Sequence, residues 1–237
     1  MNNITSLGSI VFLFILNALS PDSFFKELKA SGPSTKKKIR ALASLELENK
    51  NMTIGQPVFI RIFKKQKTLE LWIKNDNEFE LFKKYKICHH SGNLGPKEKQ
   101  GDKQAPEGFY SLTRKSLNPF SRFHLSFNIG YPNQLDQNLK RTGNYIMVHG
   151  GCVSVGCFAM TDDVIEEIYY IVEAVLDNGQ KTVQVHSFPF YFTKREFANH
   201  KKNKWLPFWK NLEQINHYFE QQRIPPKIRI KNDKYIL

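Results

Sequence analysis

The residues most able to do chemistry lie in one short segment in the second half of the chain. Residues 147–160 read MVHGGCVSVGCFAM and include one histidine, three glycines, one serine and two cysteines. An apolar stretch precedes the segment and a helical pattern follows it, so it should connect a strand to a helix. Catalytic side chains are often presented on such connections, which makes this segment the first candidate for an active site.

A cysteine nucleophile in this segment would need a base. A free thiol has a pKa near about 8.5, so only a few per cent is thiolate at neutral pH without a nearby imidazole or positive charge. His149 and Cys157 could form that pair if the loop between them folds back. Gly156 permits a tight turn, and the amides of Val155, Gly156 and Cys157 could then converge on a developing oxyanion. A glycine-rich connection around a merely buried thiol remains the alternative.

The same segment resembles the active-site motif of the YkuD-type L,D-transpeptidase family, in which His-Gly is followed by Ser-x-Gly-Cys, an apolar residue and Met. The similarity extends from about Pro57 to the C-terminal helices and is closest to the YafK-like branch of that family. It is carried by ICHHSGNLGPK from residue 87, GD at 101, APEGFY from 105 and HLSFNIGYP from 124.

The resemblance implies a role for each central residue. Cys157 would be the nucleophile, His149 the general base, and the carbonyl of Gly150 the group that orients the imidazole. The family transfers an acyl group through a thioester at the L-centre of meso-diaminopimelate, onto an amine in transferases or onto water in hydrolases. The YafK-like branch is associated with hydrolysis, including release of lipoprotein from the wall. We therefore expect hydrolysis of the amide to a lipoprotein lysine, with formation of cross-links or attachment of lipoprotein as the alternative.

The sequence departs from the commoner transpeptidase pattern at two positions beside the nucleophile. Val155 stands where many members have a second histidine, and Ala159 where many have an arginine. The spacing between His149 and Cys157 is also shorter than in the larger group. These departures remove side chains that could position an acceptor amine, and they favour the hydrolytic direction.

Four further residues are candidates for substrate contact: Ser154, Arg141, His124 and Tyr131. A guanidinium can bind a carboxylate bidentately, so Arg141 could clamp a stem-peptide carboxylate, although a solvated loop arginine is the alternative. His124 lies in an alternating strand and could point toward the cleft or serve as a structural histidine. Ser154 and Tyr131 fall inside the segments that carry the resemblance.

The other cysteines permit several interpretations. With three in the chain, disulfides cannot build the scaffold, and at least one thiol is unpaired within the chain. Cys152 is not preceded by a Ser-x-Gly motif, so we predict a structural role for it. Cys88 ends an apolar strand and is interpreted as a buried small hydrophobic residue, with a Cys88–Cys152 disulfide in an oxidising periplasm as the alternative. The His and Cys spacing matches no common zinc motif, and we expect no metal and no cofactor.

The elements that must position these residues are predicted to be strands in the middle of the chain and helices after Cys157. Runs rich in Val, Ile, Phe and Tyr predict strands at 58–63, 68–73, 79–87, 109–114, 123–127, 145–148 and 182–186. Long loops at 91–107 and 128–143 flank the motif. Thr161 is a good N-cap for a helix that should end at Asn178. We predict a mainly β (α+β) fold, an L,D-transpeptidase-like sandwich with this helix packed on it and C-terminal helices outside.

The length favours one catalytic unit with appendages. We place a signal peptide or N-terminal anchor at 1–20, a basic helical lead-in at 21–55, the catalytic domain at 56–190 and a C-terminal helical extension at 191–237. The apolar run at 10–16 and the small residues at 18 and 20 favour a cleaved export signal, with an uncleaved anchor or an ordinary helix as alternatives. Export would place the protein in the periplasm of a Gram-negative bacterium.

The chain is strongly basic, with a formal net charge of +13 and a pI of about 9.6. Such a charge attracts any partner with fixed negative charge, and its lysine clusters are scattered rather than gathered in one stripe. We expect peptidoglycan stem peptides as partners, with or without linked outer-membrane lipoprotein, no nucleic acid, and a monomer. A non-catalytic basic module that binds peptidoglycan or nucleic acid is the alternative, but the presence of both His149 and Cys157 argues against it.

Overall fold

The computed structural model describes residues 36–237, with side chains from residue 38. The signal or anchor expected at 1–20 and the first part of the lead-in lie outside these residues. The α-helices within this range are α1 Lys36–Glu48, α2 Gln134–Asn138, α3 Asp162–Asp177, α4 Lys194–Asn199 and α5 Leu206–Gln222. The strands are β1 Val58–Phe63, β2 Thr68–Asn75, β3 Glu78–Lys86, β4 His89–His90, β5 Gly108–Leu112, β6 Leu117–Ser121, β7 His124–Asn128, β8 Met147–His149, β9 Phe158–Ala159, β10 Val183–Phe188, β11 Arg229–Lys231 and β12 Lys234–Ile236.

The first sheet has five strands in the order β3-β2-β1-β10-β5, with β1 and β10 parallel. Strand β1 is buried along its whole length. Its residues Val58, Ile60 and Ile62 join the main core, whereas Phe59 and Phe63 pack into two separate clusters. Because side chains alternate across a strand, both faces of this sheet are covered.

The second sheet carries the chemically interesting segment. Its five strands run in the order β4-β9-β8-β7-β6, with β8 and β9 parallel. Val148, Phe127 and Phe158 from these strands enter the same core as the inward residues of β1. Helix α3 adds its buried face to that core, and it begins and ends within a residue of the predicted positions.

The C-terminal extension covers the other face of the first sheet. Helix α5 buries Trp209, Leu212, Ile215 and Phe219 against it, which makes this helix an integral layer of the fold. The chain then forms a hairpin of β11 and β12, where a helical tail was predicted. Tyr235 anchors this hairpin in the apolar cluster beside Phe109.

The predicted α+β sandwich is confirmed, with helices and strands contributing about equal numbers of residues. The helical share is larger than a mainly β fold suggests because α3 and α5 are both long. None of the helices within residues 36–237 is long and apolar enough to cross a membrane.

Candidate active site

His149 ends β8 and is buried, with 3% of its surface exposed. Its Nδ1 lies 2.6 Å from the carbonyl oxygen of the next residue, Gly150. A carbonyl oxygen can only accept, so Nδ1 carries the proton and Nε2 is left as the basic nitrogen. Burial lowers the pKa of His149, although the bond to Gly150 opposes that shift. The imidazole is therefore a neutral, oriented base.

The register of β8 and β9 puts Cys157 on the same face of the sheet as His149. Val148 pairs with Phe158, and both are fully buried in the core. Residues that precede and follow a buried strand position point to the opposite face, which places Cys157 and His149 together there. The amide of Met147 lies 3.4 Å from the Sγ of Cys157, consistent with this position. Across this parallel pair His149 is opposite Ala159, so Cys157 lies two residues before the partner of His149.

The thiol of Cys157 has a raised pKa in the free protein. Burial is the main cause, and the Met147 amide and the charge of Lys97 act in the opposite direction. The sulfur also lies 3.7 Å from the carbonyl oxygen of Tyr145. The resting group is therefore a thiol, which requires a base such as His149 to become a nucleophile.

Cys88 and Cys152 form a disulfide, with their Cα atoms 5.3 Å apart. Cys88 is thus not the unpaired buried hydrophobic residue that its position suggested, and the alternative pairing is the one that occurs. Backbone hydrogen bonds bring the two cysteines close together, because the amide of Cys88 donates to the carbonyl of Ala159 and the amide of Cys152 donates to the carbonyl of Met160. Cys157 remains as the free thiol of the chain.

The predicted oxyanion amides are not all free. The amide of Gly156 donates to the Oγ of Ser91 at 2.5 Å, so that amide already has an acceptor. Gly156 has φ of +97°, a conformation that glycine adopts at little cost. The predicted substrate residue Ser154 donates its hydroxyl to the carbonyl of Cys157 at 2.7 Å, which braces the loop before Cys157. The amides of Val155 and Cys157 remain as oxyanion candidates.

Three other predicted substrate residues are engaged elsewhere in the protein. Arg141 is buried and donates to the buried carboxylate of Asp136 at 2.8 Å, because a buried charge needs a partner. The carboxylate that Arg141 binds within the protein is thus that of Asp136, and a clamp on a stem-peptide carboxylate stays a prediction. Tyr131 is also buried, with its hydroxyl near two backbone carbonyls. His124 pairs with Glu166 of α3.

Two contacts around His149 were not predicted from the sequence. The ring of Phe123 lies against the imidazole, with the ring centroids 4.7 Å apart. The carboxylate of Asp162, the first residue of α3, accepts from the amide of Gly151 at 2.8 Å. A Cβ at Gly150 would come within 2.5 Å of that carboxylate and 2.9 Å of the Phe123 carbonyl oxygen, so this close approach requires glycine. Both contacts join distant segments and leave no local pattern in the sequence.

The loop at 91–107, which carries Ser91 and Lys97, is held from beneath by a fully buried ion pair. Lys64 donates to Glu107 at 2.9 Å and to the carbonyls of Gly95 and Ala105. The second carboxylate oxygen of Glu107 accepts from Trp209 of α5 at 2.7 Å. Both ends of the loop are thereby tied to the C-terminal layer. No group of three or more His, Cys, Asp or Glu side chains within residues 36–237 could hold a metal ion.

Comparison with known proteins gives a consistent result. Residues 57–186 match the family of the YkuD L,D-transpeptidase catalytic domain. The chain is 40% identical over 227 residues to the Escherichia coli (strain K12) protein named "Putative L,D-transpeptidase YafK", covering 96% of this chain and 89% of that protein.

Two solved structures show a weaker similarity. The helical cell shape determining protein Pgp2 from Campylobacter jejuni is 20% identical, with a TM-score of 0.46 over 80% of each chain. Bdellovibrio bacteriovorus Bd1075 is also 20% identical, with a TM-score of 0.39 over 70% of this chain and 56% of its own. The match to the catalytic-domain family and the identity to YafK over nearly the whole chain show that this protein belongs to the L,D-transpeptidase family.

Proposed function

We propose that the protein is a peptidoglycan-modifying cysteine enzyme that cleaves an amide at the L-centre of meso-diaminopimelate, with a lipoprotein lysine as the leaving amine. The observation that carries this proposal is the placement of His149 at the end of β8 and of Cys157 just before the adjacent β9, on one face of the sheet, with Nδ1 of His149 bonded to Gly150. That arrangement leaves a neutral imidazole nitrogen available to the free thiol.

The chemistry follows from these two groups. Nε2 of His149 takes the thiol proton as Sγ attacks the carbonyl carbon, and the tetrahedral oxyanion forms. His149 then returns the proton to the leaving lysine nitrogen, the C–N bond breaks, and a thioester to Cys157 remains. Water attacks the thioester with His149 as base, the C–S bond breaks, and the carboxylate and the thiol are released.

Hydrolysis is favoured over transfer by what lies beside the nucleophile. Val155 is 71% exposed and offers only an apolar side chain, while Ala159 is fully buried beside His149 in the sheet. Neither can hold an incoming amine in line with the thioester. Positioning can be worth several kcal/mol, about 7–11 in well-oriented cases, whereas water is abundant and needs no dedicated pocket.

The proposal also covers location and partners. Peptidoglycan lies in the cell envelope, and a disulfide such as Cys88–Cys152 persists in an oxidising compartment. We therefore assign the protein to the periplasm of a Gram-negative bacterium, acting as a monomer on stem peptides that carry lipoprotein. The net charge of +13 favours approach to a carboxylate-rich polymer.

The test is incubation of the purified protein with sacculi that retain linked lipoprotein, followed by mass analysis of released and retained products. We expect release of lysine-terminated fragments, few new cross-links, and no release with Cys157→Ala. Abundant diaminopimelate–diaminopimelate cross-links without any lysine-linked release would establish the transferase alternative. A protein that binds but releases nothing would be the non-catalytic module, and for nucleic acid its affinity would fall steeply with salt.

A further inference from the structure

An exposed aromatic residue covers the imidazole of His149. The rings of Phe123 and His149 lie 4.7 Å apart between centroids with an interplanar angle of 35°. Phe123 lies in the two-residue turn between β6 and β7, and 45% of it is exposed although it lies against a buried neighbour. Single exposed phenyl rings are common on protein surfaces, so it is the contact with the buried imidazole that points to a role at the site.

We propose that Phe123 is a positioning residue for His149, an inference that rests on the proposed function. Its ring screens one face of the imidazole from water and holds the plane of the imidazole, so that Nε2 keeps a single orientation. Phe123 does not itself touch the reacting atoms in this role.

The backbone of Phe123 acts on the same group. The amide of Gly150 donates to the carbonyl oxygens of Phe123 at 3.0 Å and Leu125 at 3.2 Å, and the carbonyl of Gly150 in turn accepts from Nδ1 of His149. Phe123 therefore contacts the imidazole with its ring and helps to hold, through its backbone, the residue that anchors Nδ1. The single bond at Nδ1 would otherwise leave the ring free to tilt, and small misplacements of a catalytic group can cost up to about 100-fold in rate.

The same hairpin offers a matched control. Phe120 belongs to β6 and is 92% exposed, and its ring has no comparable partner among the described ring contacts. Removal of either phenyl ring takes the same apolar group from this hairpin. Only Phe123 is expected to alter the chemistry of Cys157.

The first measurement is the rate at which iodoacetamide alkylates Cys157 at pH 7, followed by mass spectrometry. This reaction needs no peptidoglycan, so it stays informative if the proposed amide cleavage is not found. We expect Phe123→Ala to slow alkylation by about 3–10-fold and Phe120→Ala to leave it unchanged. In a His149→Ala background Phe123→Ala should have no further effect beyond about twofold, because the two residues act as one unit.

The double-mutant comparison separates positioning from access. If Phe123 only shielded the thiol from the reagent, Phe123→Ala would speed alkylation in both backgrounds, which overturns the proposal. Equal slowing with and without His149 would also overturn it. With sacculi as substrate, Phe123→Ala should lower kcat by about 10–100-fold with little change in KM, and Phe123→Tyr should restore most of it. Loss of kcat that Phe123→Tyr fails to restore would contradict a role for the ring.

Discussion

The amide of Gly156 donates a hydrogen bond to the hydroxyl of Ser91, 65 residues earlier in the chain, at 2.5 Å. The same hydroxyl donates to the carbonyl of Lys103 at 2.7 Å, so it joins the loop before Cys157 to two points of the 91–107 loop. With the Cys88–Cys152 disulfide, this bond holds the loop before Cys157 at two points. The loop preceding Cys157 is therefore braced before any substrate arrives.

Ser91→Ala should lower activity while leaving the fold intact. Loss of the hydroxyl removes two hydrogen bonds, to the Gly156 amide and to the Lys103 carbonyl, each worth about 1 kcal/mol in stability, and frees the Gly156 amide to move. We expect kcat on sacculi to fall by about 10-fold, because a loose loop misplaces the nucleophile. Ser111→Ala, at an exposed serine of β5, is the control and should behave as wild type. Full activity in Ser91→Ala would show that these bonds are dispensable.

The native protein should contain one reactive thiol. Cys157→Ala should abolish both turnover and alkylation, because the other cysteines are joined in a disulfide. The Cys88→Ala/Cys152→Ala double variant should retain substantial turnover but unfold more easily, since a disulfide typically contributes about 2–4 kcal/mol. Thermal unfolding and thiol titration measure both effects. Residual turnover in Cys157→Ala would reassign the nucleophile.

The pH dependence of activity should follow from two pKa shifts of opposite direction. Burial lowers the pKa of His149 and raises the pKa of Cys157. As pH falls, the base is lost only when His149 protonates, so the acid limb of kcat/KM should lie below the usual histidine value of about 6.5. The thiol proton remains available for transfer until pH exceeds the ordinary thiol range. A midpoint of the acid limb above pH 7 would contradict this assignment.

The buried ion pair beneath the 91–107 loop should contribute far more to the free energy of unfolding than the partly exposed ion pair next to it in sequence. Lys64 and Glu107 have fully buried side chains, whereas the pair of Lys65 and Glu196 is partly exposed. Lys64→Ala leaves a buried carboxylate without its cation and should cost about 3–5 kcal/mol of unfolding free energy. Lys65→Ala should cost less than about 1 kcal/mol. Urea unfolding of both variants provides the comparison, and equal losses would refute the role of burial.

Some of this structure was determined by short-range sequence patterns. Strand β1 occupies the predicted residues, and α3 begins and ends within a residue of the predicted limits. Such patterns are local, because alternation and capping depend on residues within one or two turns of each other. The motif around His149 and Cys157 is also a local pattern, since its residues lie within one short segment.

The tertiary structure alone decided which distant groups meet that segment. The disulfide spans 64 residues, and neither the packing of Phe123 on His149 nor the pairing of Ser91 with Gly156 follows from any periodicity. The pairing of Arg141 with Asp136 likewise depended on burial, which local sequence does not specify. The contacts of the segment itself are set by the order and register of the second sheet, in which β4, β9, β8 and β7 lie side by side and bring separate parts of the chain together. Sheet pairing is non-local, so the sequence determined the chemical groups and the fold determined their partners.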